Sequence, residues 1–403
     1  MALKLSIRVP MKSSWSAMFG KAACLSVVRP PLVNGHRLER RAPDEGDLMP
    51  TLFDPIALGA LTAPNRIIMA PLTRARSTHD HVPTAIMVDY YAQRASAGLI
   101  TSEAIGISRQ GNGFPYAPGI WSAEQVAAWK PVTQAVHHKG GRIVAQLGHT
   151  GRAGHSAVIG EQPVSSSATA APVDAWTYDG PKSPETARPL AADEIPGLVA
   201  DYAHAARNAV AAGFDGVQIH AANGMLIDQF LRNNSNLRGD DYGGSIANRM
   251  RLLEQVARAV AGVVGADRTS VRLSPNGETW GVDDSDPTPL FTAVADMLAT
   301  IDIAFLELRE PAPGDVFGGT DVPRQSPMIR QHFKGKLILN SDYDLVRAQA
   351  DIDSGLADAI SFGRPFLANP DLVQRLQDGA PLNPAKRETS IARGRKATPT
   401  IRR

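Results

Sequence analysis

The sequence predicts an α/β protein that folds as one (β/α)8 barrel, the TIM-barrel architecture. Three observations carry this prediction: eight short apolar runs, helical patterns between most of them, and a length of 403 residues, which suits a barrel with insertions. Several runs are apolar without alternation, as expected for parallel strands buried on both faces. A doubly wound open sheet is the main alternative. In order, the runs are Arg66–Ala70, Leu99–Glu103, Arg142–Leu147, Gly216–His220, Thr269–Leu273, Ile303–Leu308, Lys336–Leu339 and Ala359–Phe362.

The segments between the runs carry signals for the start and the end of helices. Asp193 and Glu194 mark the start of a predicted helix, because acidic side chains suit its positive N-terminus. Gly213 would end this helix. Ser245 can cap the helix that follows it. Thr288 followed by Pro289 is typical of a cap and the first residue of a helix. Strand and helix patterns thus alternate along the chain.

Two long insertions follow the third and fourth predicted strands. They cover Gly148–Pro189 and Ala221–Tyr242. In a barrel of this type, the loops after the strands build the active-site face. We therefore predict a single barrel domain over residues 49–385, with its site on these loops.

Both ends of the chain differ from the barrel in composition. Residues 1–48 hold eight Lys and Arg residues, and Glu39 is the only acid before Asp44. This pattern occurs in organelle transit peptides, but a non-native start upstream of Met49 and a structural arm are alternatives. We expect residues 1–48 to be a disordered extension or a non-native start. Residues 386–403 are basic and poor in apolar side chains, so we expect a disordered tail.

Composition excludes several classes of protein. A net charge of +2 is too small to predict a nucleic-acid or membrane partner. Cys24 is the one cysteine, so an internal disulfide or a thiolate metal cluster cannot form. No apolar stretch is long enough to span a membrane. The sequence predicts a cytoplasmic location and a small-molecule ligand, and it leaves open whether the chain forms a homo-oligomer.

Polar side chains stand where the predicted strands end, and carboxylates are scarce among them. The candidates are carried by strands one, three, four, five and eight. Glycoside hydrolysis needs two carboxylates at such ends, and we interpret Glu103 and Glu307 as structural. His149 and His155 are an alternative metal-ligand pair, and Lys336 lies at the wrong end of its strand for Schiff-base chemistry. The polar set is Thr73, Gln146, His220, Asn223, Arg272 and Arg364.

This set suits a planar heterocycle that carries a phosphate. An amide such as Gln146 offers a donor and an acceptor to a ring imide, and Arg272 could stabilise negative charge on a reduced ring. Barrel phosphate sites use the loops after strands seven and eight. Here these loops offer Asn340–Ser341 and Gly363–Arg364. Gly363 allows close approach of the backbone, and Arg364 can bind phosphate through two hydrogen bonds.

Nine stretches, spread in order over the whole barrel, carry a resemblance to one known family. They are NRIIMAPLTRAR (65–76), YYAQRASAGLITSEA (90–104), PGIWS (118–122), HHKGGRIVAQL (137–147), HTGR (149–152), AGFDGVQIHAANG (212–224), DQF (228–230), YGGSIANR (242–249) and SFGRPFLANPDL (361–372). Through them, residues 50–385 resemble the old yellow enzyme family of FMN-dependent ene-reductases, especially its N-ethylmaleimide-reductase-like branch.

The resemblance implies non-covalent FMN, reduced by NADPH or NADH. Pro71, Leu72 and Thr73 would lie along the flavin ring with Ala104 beside it. By the same resemblance, the remaining cofactor contacts fall into two groups. Gln146 and Arg272 would bind the pyrimidine edge, and Asn340, Ser341, Gly363 and Arg364 would bind the phosphate, although the family's strand-seven loop is usually richer in glycine.

The resemblance also implies the reaction. His220 and Asn223 match the family pair that binds the carbonyl oxygen of an activated alkene, while flavin N5 delivers hydride to the β-carbon. Two donors aimed at one oxygen would stabilise the enolate that forms. Phe114 is assigned to the same substrate pocket.

The chain departs from the family at three places. Met225 stands where most relatives have a proton-donating tyrosine, and a thioether has no proton to give. Gly148 replaces a bulky tryptophan, which predicts a roomier pocket. The usual Gly- and Tyr-rich tail is replaced over residues 388–403, as a change of reading frame near residue 388 would produce. The alternatives are a flavin-binding barrel with weak or altered turnover, including nitroester or nitroaromatic reduction, and a barrel without flavin.

Overall fold

The structure, a computed structural model, describes residues 49–315 and 318–386. The predicted extension over residues 1–48 and nearly all of the predicted tail lie outside these described residues. An antiparallel hairpin, β1 (Ile56–Leu58) and β2 (Leu61–Ala63), precedes the main sheet. The main sheet is a closed barrel of eight parallel strands, so the predicted fold is confirmed and the open sheet is excluded. Its strands are β3 (Ile67–Met69), β4 (Leu99–Gly106), β5 (Ile143–Gly148), β10 (Gly216–His220), β11 (Thr269–Leu273), β12 (Phe305–Arg309), β13 (Leu337–Asn340) and β14 (Ala359–Phe362).

Every predicted strand overlaps an observed barrel strand, with small shifts at the ends. The largest extension is in β4, which continues to Gly106 instead of ending at Glu103. Its pairing with β5 shifts register between Thr101 and Ala104, which marks a bulge. A bulge bends the strand locally and re-aims its side chains. The part of β4 beyond the bulge therefore belongs to the rim of the barrel.

The helices cover the outside of the barrel. The predicted caps hold at Ser245, whose side chain accepts from the Asn248 amide at 3.2 Å, and at Gly213, where φ is +90°. The prediction at Thr288 is wrong, because the helix already begins at Pro287, which suits the first turn equally well. The helices are α1 (Ala85–Ala92), α2 (Ala123–His137), α3 (Ser156–Ile159), α4 (Ile195–Ala211), α5 (Leu226–Leu231), α6 (Ile246–Val264), α7 (Pro287–Ile301), α8 (Ser326–His332), α9 (Leu345–Asp353), α10 (Arg364–Ala368) and α11 (Leu372–Asp378).

The interior of the barrel is apolar at one end and polar at the other. A buried cluster that includes Ile68, Leu99 and Phe305 packs with Ile56 and Leu58 of the hairpin. The hairpin thereby closes the amino-terminal end of the barrel with side chains that exclude water. The polar interior side chains lie toward the carboxyl ends of the strands, which leaves that end for the site.

The long loop after β5 contains small elements of its own. β6 (Val164–Ser165) pairs with β9 (Arg188–Pro189), and β7 (Ala175–Thr177) forms a hairpin with β8 (Gly180–Lys182). The loop after β10 contains α5. Within the described ranges, no helix has the length and apolar character needed to cross a membrane.

Candidate active site at the carboxyl ends of the strands

A cavity of about 860 Å³ opens at the carboxyl ends of the first four barrel strands. Its position is the one that the sequence predicts for the site, and its size is that of a small-molecule pocket. The structure thus brings nine of the predicted site residues to one cavity: Pro71, Thr73, Ala104, Phe114, Gln146, Gly148, His220, Asn223 and Met225.

His220 is the last residue of β10 and is 7% exposed. Burial, with a further contribution from the positive charge of Arg272, lowers the pKa of His220 to about 3. The imidazole is therefore neutral across the physiological range. A neutral imidazole carries one N–H donor and can give a hydrogen bond to a substrate oxygen without being an ion.

Asn223 follows in the turn after β10 and has φ of +58°. This left-handed conformation is tolerated by asparagine better than by most residues. The backbone N–H of Asn223 donates to Ser274 Oγ at 2.8 Å, which fixes the turn. The side chains of His220 and Asn223 both line the cavity, so the predicted donor pair shares one space.

A buried hydrogen-bond chain inside the barrel orients Gln146. Gln218 Nε2 donates to Glu307 Oε2 at 2.7 Å, and Gln146 Nε2 donates to Gln218 Oε1 at 2.7 Å. A carboxylate only accepts, so Glu307 determines the orientation of both amides. The amide oxygen of Gln146 is then the group left for the cavity. Sequence reasoning did not single out Gln218.

Arg272 and Asn340 lie beside the same buried carboxylate. Arg272 forms an ion pair with Glu307, and its Nη2 donates to Asn340 Oδ1 at 2.7 Å. The Nε of Arg272 is buried and has no hydrogen-bond partner among the described residues. A buried donor without a partner is costly, so a polar ligand at this place would satisfy it.

The predicted phosphate residues form a second group at the ends of β13 and β14. Asn340 Nδ2 donates to the Ser361 carbonyl at 2.8 Å and ties the two strands together. Ser341 Oγ donates to Asp315 at 2.9 Å, and Arg364 forms an ion pair with Asp342. These residues, with Leu72 and Arg272, do not line the main cavity.

Gly363 leaves space at the barrel end. A Cβ added there would meet Leu72 Cδ2 at 3.5 Å and Ala70 Cβ at 3.9 Å, which is ordinary contact. Packing therefore does not explain the glycine at position 363, and the space beside it fits a role in ligand approach.

The three residues assigned to the substrate pocket lie in the cavity wall. Met225 is 6% exposed and precedes α5, so a thioether occupies the position of the expected hydroxyl. A Cβ added at Gly148 would lie 3.5 Å from His220 Cβ and 4.0 Å from Ala104 Cβ. A larger side chain at 148 would thus be placed beside His220. Phe114 contacts Trp280, with ring centroids 6.0 Å apart.

Sequence reasoning missed the other aromatic residues of the wall. Tyr116, Trp176 and Trp280 line the cavity, and Trp176 is 52% exposed at its mouth. Trp176 lies on β7, and the following Tyr178 stacks on His79 at 4.2 Å. The hairpin of β7 and β8, which belongs to the Gly- and Pro-rich loop after β5, therefore lies over the cavity. The sequence signal for them was the presence of aromatic residues in the loops that follow β4, β5 and β11.

The histidines of the long loop have local partners. His149 Nδ1 accepts from the Gly151 amide at 3.0 Å, and His155 Nδ1 accepts from the Ala157 amide at 3.0 Å. In the described ranges, no group of three or more His, Cys, Asp or Glu side chains could hold a metal ion. The two strand carboxylates also have protein partners. Glu103 accepts from the Arg74 backbone amide at 3.0 Å, and Glu307 accepts from Gln218 Nε2 at 2.7 Å.

Several known proteins are similar to this chain over most of its length. The old yellow enzyme homologue from Zymomonas mobilis is 58% identical, and the match covers 87% of this chain and 98% of that one with a TM-score of 0.86. Chanoclavine-I aldehyde reductase of Penicillium roqueforti is 44% identical over 85% of this chain and 93% of its own length. A protein of Leishmania infantum named as a probable flavin mononucleotide-dependent alkene reductase is 41% identical over 82% of this chain and 92% of its own length.

The family model extends over nearly all of the described barrel. It matches residues 51–383, which include every strand and helix described above. Relatives above 40% identity over most of both chains agree with this match. The chain belongs to the NADH:flavin oxidoreductase / NADH oxidase family, in its old yellow enzyme group.

Proposed function

We propose that this flavin oxidoreductase reduces the activated carbon–carbon double bond of α,β-unsaturated carbonyl compounds at the expense of NADPH or NADH. The observation that carries the proposal is the pair His220 and Asn223 in one cavity, with His220 held neutral by burial. The Leishmania relative is named as a probable alkene reductase, which agrees with an alkene as the substrate.

The described residues fit FMN, the cofactor of the family. The amide oxygen of Gln146 suits the ring imide, and the unpartnered Nε of Arg272 suits a ring acceptor. The open space at Gly363 beside Arg364 suits a phosphate. Pro71, Thr73 and Ala104 line the cavity, and together with Leu72 they would lie along the ring. Asn340 and Ser341 would bind the phosphate.

When bound, FMN supplies hydride chemistry, taking a hydride equivalent from the nicotinamide coenzyme and passing it to the β-carbon of the alkene. His220 and Asn223 donate hydrogen bonds to the carbonyl oxygen and draw electron density from the double bond. They stabilise the enolate more strongly than the ground-state carbonyl, which lowers the barrier.

A proton must reach the α-carbon to complete the reaction. The enone then gains one hydride and one proton, and the coenzyme is oxidised. Met225 cannot donate that proton, so we infer that a water molecule in the cavity supplies it. The expected consequence is slower or less stereoselective protonation of some substrates.

An anaerobic experiment tests the proposal. The FMN-loaded protein is reduced with NADPH, 2-cyclohexen-1-one is added, and flavin absorbance is followed. We expect rapid reoxidation, and loss of about 10²–10³ in rate in His220→Ala with FMN binding retained. Reduction by NADPH without reoxidation by the enone would contradict the proposal.

A flavin-binding protein with weak or altered turnover is the second candidate, and Met225 is the observation that favours it. Reoxidation by a nitroester or a nitroaromatic compound, but not by the enone, would support it. A cytoplasmic location stays a prediction from the sequence, which leaves the oligomeric state open.

A further inference from the structure

Arg309 is a buried cation that contacts the proposed substrate clamp. It is the last residue of β12 and is 4% exposed. Its Nη1 donates to Asn223 Oδ1 at 3.3 Å and to Thr279 Oγ1 at 3.1 Å. Arg309 therefore joins the end of β12 to the turn that carries Asn223.

The contact between Arg309 and Asn223 Oδ1 determines the orientation of the Asn223 side-chain amide. A guanidinium has donors and no acceptor, so the amide atom that faces it must be the oxygen. The Nδ2 group is then the amide group that is left for the cavity, which Asn223 lines. With the opposite orientation, Asn223 would point an oxygen at the carbonyl oxygen of the substrate.

The charge of Arg309 also has the right sign for the reaction. Burial, together with the positive charge of Arg272, lowers the pKa of Arg309 to about 10, so the guanidinium stays charged at neutral pH. A positive charge behind the Asn223 amide polarises its N–H groups toward the cavity. A buried charge acts more strongly than one in water, because the local dielectric constant is lower.

We propose that Arg309 is a positioning residue that holds Asn223 with its amide N–H groups toward the substrate oxygen and, through them, stabilises negative charge on that oxygen. This inference rests on the proposed function, because it assigns the clamp to a carbonyl compound. It predicts that the contribution of Arg309 to anion binding passes through Asn223.

The test uses an inert probe, so that it does not depend on turnover. 4-Hydroxybenzaldehyde is a phenol whose ionised oxygen stands in for the enolate oxygen. Its binding to oxidised, FMN-loaded protein is measured by calorimetry as a function of pH in the wild type, Arg309→Met and Arg309→Lys. Thr279→Val is the matched control, since it removes the other partner of the same Nη1 and leaves Asn223 intact.

We expect about tenfold weaker binding in Arg309→Met, with ionisation of the bound probe shifted to higher pH. Arg309→Lys should recover part of the loss, and Thr279→Val should bind the probe normally. In an Asn223→Ala background, Arg309→Met should cause little further loss, because the two residues act as one unit. FMN affinity and melting temperature should stay near those of the wild type.

Equal losses from Arg309→Met with and without Asn223 would overturn the proposal, as would an equal loss in Thr279→Val. If Arg309→Met does not fold, Arg309→Lys measured in both backgrounds gives the same comparison. Normal probe binding with no enone-dependent reoxidation in the wild type would contradict the proposed function and leave the positioning role standing.

Discussion

Asp342 forms an ion pair with Arg364 at the place where β13 and β14 end. Both side chains are partly exposed, and Arg364 is one of the four residues predicted to bind the FMN phosphate. Ser341 and Asp342 have φ of +148° and +41°, a region that favours glycine. The backbone therefore keeps a glycine-like turn, although the sequence there contains none.

Removing the charge of Asp342 should tighten FMN binding. In Asp342→Asn, Arg364 loses a competing carboxylate, and asparagine still tolerates the left-handed backbone. We expect the dissociation constant of FMN to fall by roughly fivefold, the effect of about 1 kcal/mol from one partly exposed charge. Fluorescence titration of the apoprotein measures it.

Riboflavin is the control ligand, because it lacks the phosphate. Its affinity should not change in Asp342→Asn. Asp342→Gly should bind FMN as tightly as Asp342→Asn does. Relief of backbone strain should add to the stability of the Asp342→Gly protein. If both ligands gained equally in Asp342→Asn, a general stabilisation and not the phosphate contact would be the cause.

The barrel was predictable because its signal is local. Each strand buried on both faces is an apolar run, and Ser245 and Gly213 mark helix ends within a few residues of sequence. The strand-end positions of His220 and Gln146 follow from the same runs. The residue types at those ends and the family resemblance then pointed to a flavin.

The contacts across the barrel were not predictable from the sequence. The chain Gln146–Gln218–Glu307 joins β5, β10 and β12, and its existence depends on the register of strands far apart in sequence. Arg309 next to Asn223 depends on the same register. Polar residues inside an apolar run are visible in a sequence, but their partners are not.

Met225→Tyr should speed the oxidative half-reaction. The residue precedes α5 and lines the cavity, so a tyrosine there would bring an O–H donor into the pocket. We expect roughly tenfold faster reoxidation by poor acceptors, below the ~10²–10³ that a well-placed general acid contributes. Stopped-flow absorbance under anaerobic conditions measures it.

Met225→Phe is the matched control for this change, because it adds the ring without the hydroxyl. It should not accelerate the reaction. If Met225→Phe and Met225→Tyr gave the same rate, the hydroxyl would not be the proton source and water would serve in both.

Gly148→Trp should narrow the pocket. An added Cβ at position 148 lies against His220 and Ala104 at ordinary contact distances, so the backbone accepts a side chain there. A tryptophan would fill space that a bulky enone needs. We expect kcat/KM for a bulky enone to fall by roughly tenfold or more relative to that for 2-cyclohexen-1-one.

Gly148→Ala separates size from backbone effects. It should leave the preference between the two enones close to that of the wild type. The same preference in the wild type and in Gly148→Trp would show that the space at position 148 does not determine substrate size.

Burial of His149 should make the free energy of unfolding depend on pH. Burial lowers the pKa of His149 to about 3, below the value of about 6.5 expected in the unfolded chain. Between these values the unfolded chain binds a proton that the folded protein does not. The free energy of unfolding therefore rises with pH there, by at most ~1.4 kcal/mol per pH unit from one histidine.

His149→Asn should remove this contribution. The asparagine side chain keeps an acceptor for the hydrogen bond that the Gly151 backbone amide now donates to His149 Nδ1. Urea unfolding of the FMN-loaded protein at pH 4.5, 5.5 and 6.5, conditions chosen within the window, measures the difference. Relative to the wild type, the variant should lose less of its free energy of unfolding as the pH falls, and the two curves should run parallel above pH ~7.

His138→Asn, at the exposed end of α2, controls for loss of an imidazole at the surface. Parallel curves for the wild type and His149→Asn throughout the acid range would mean that the imidazole takes up its proton without unfolding, and the site would then have to admit water beside the cavity wall.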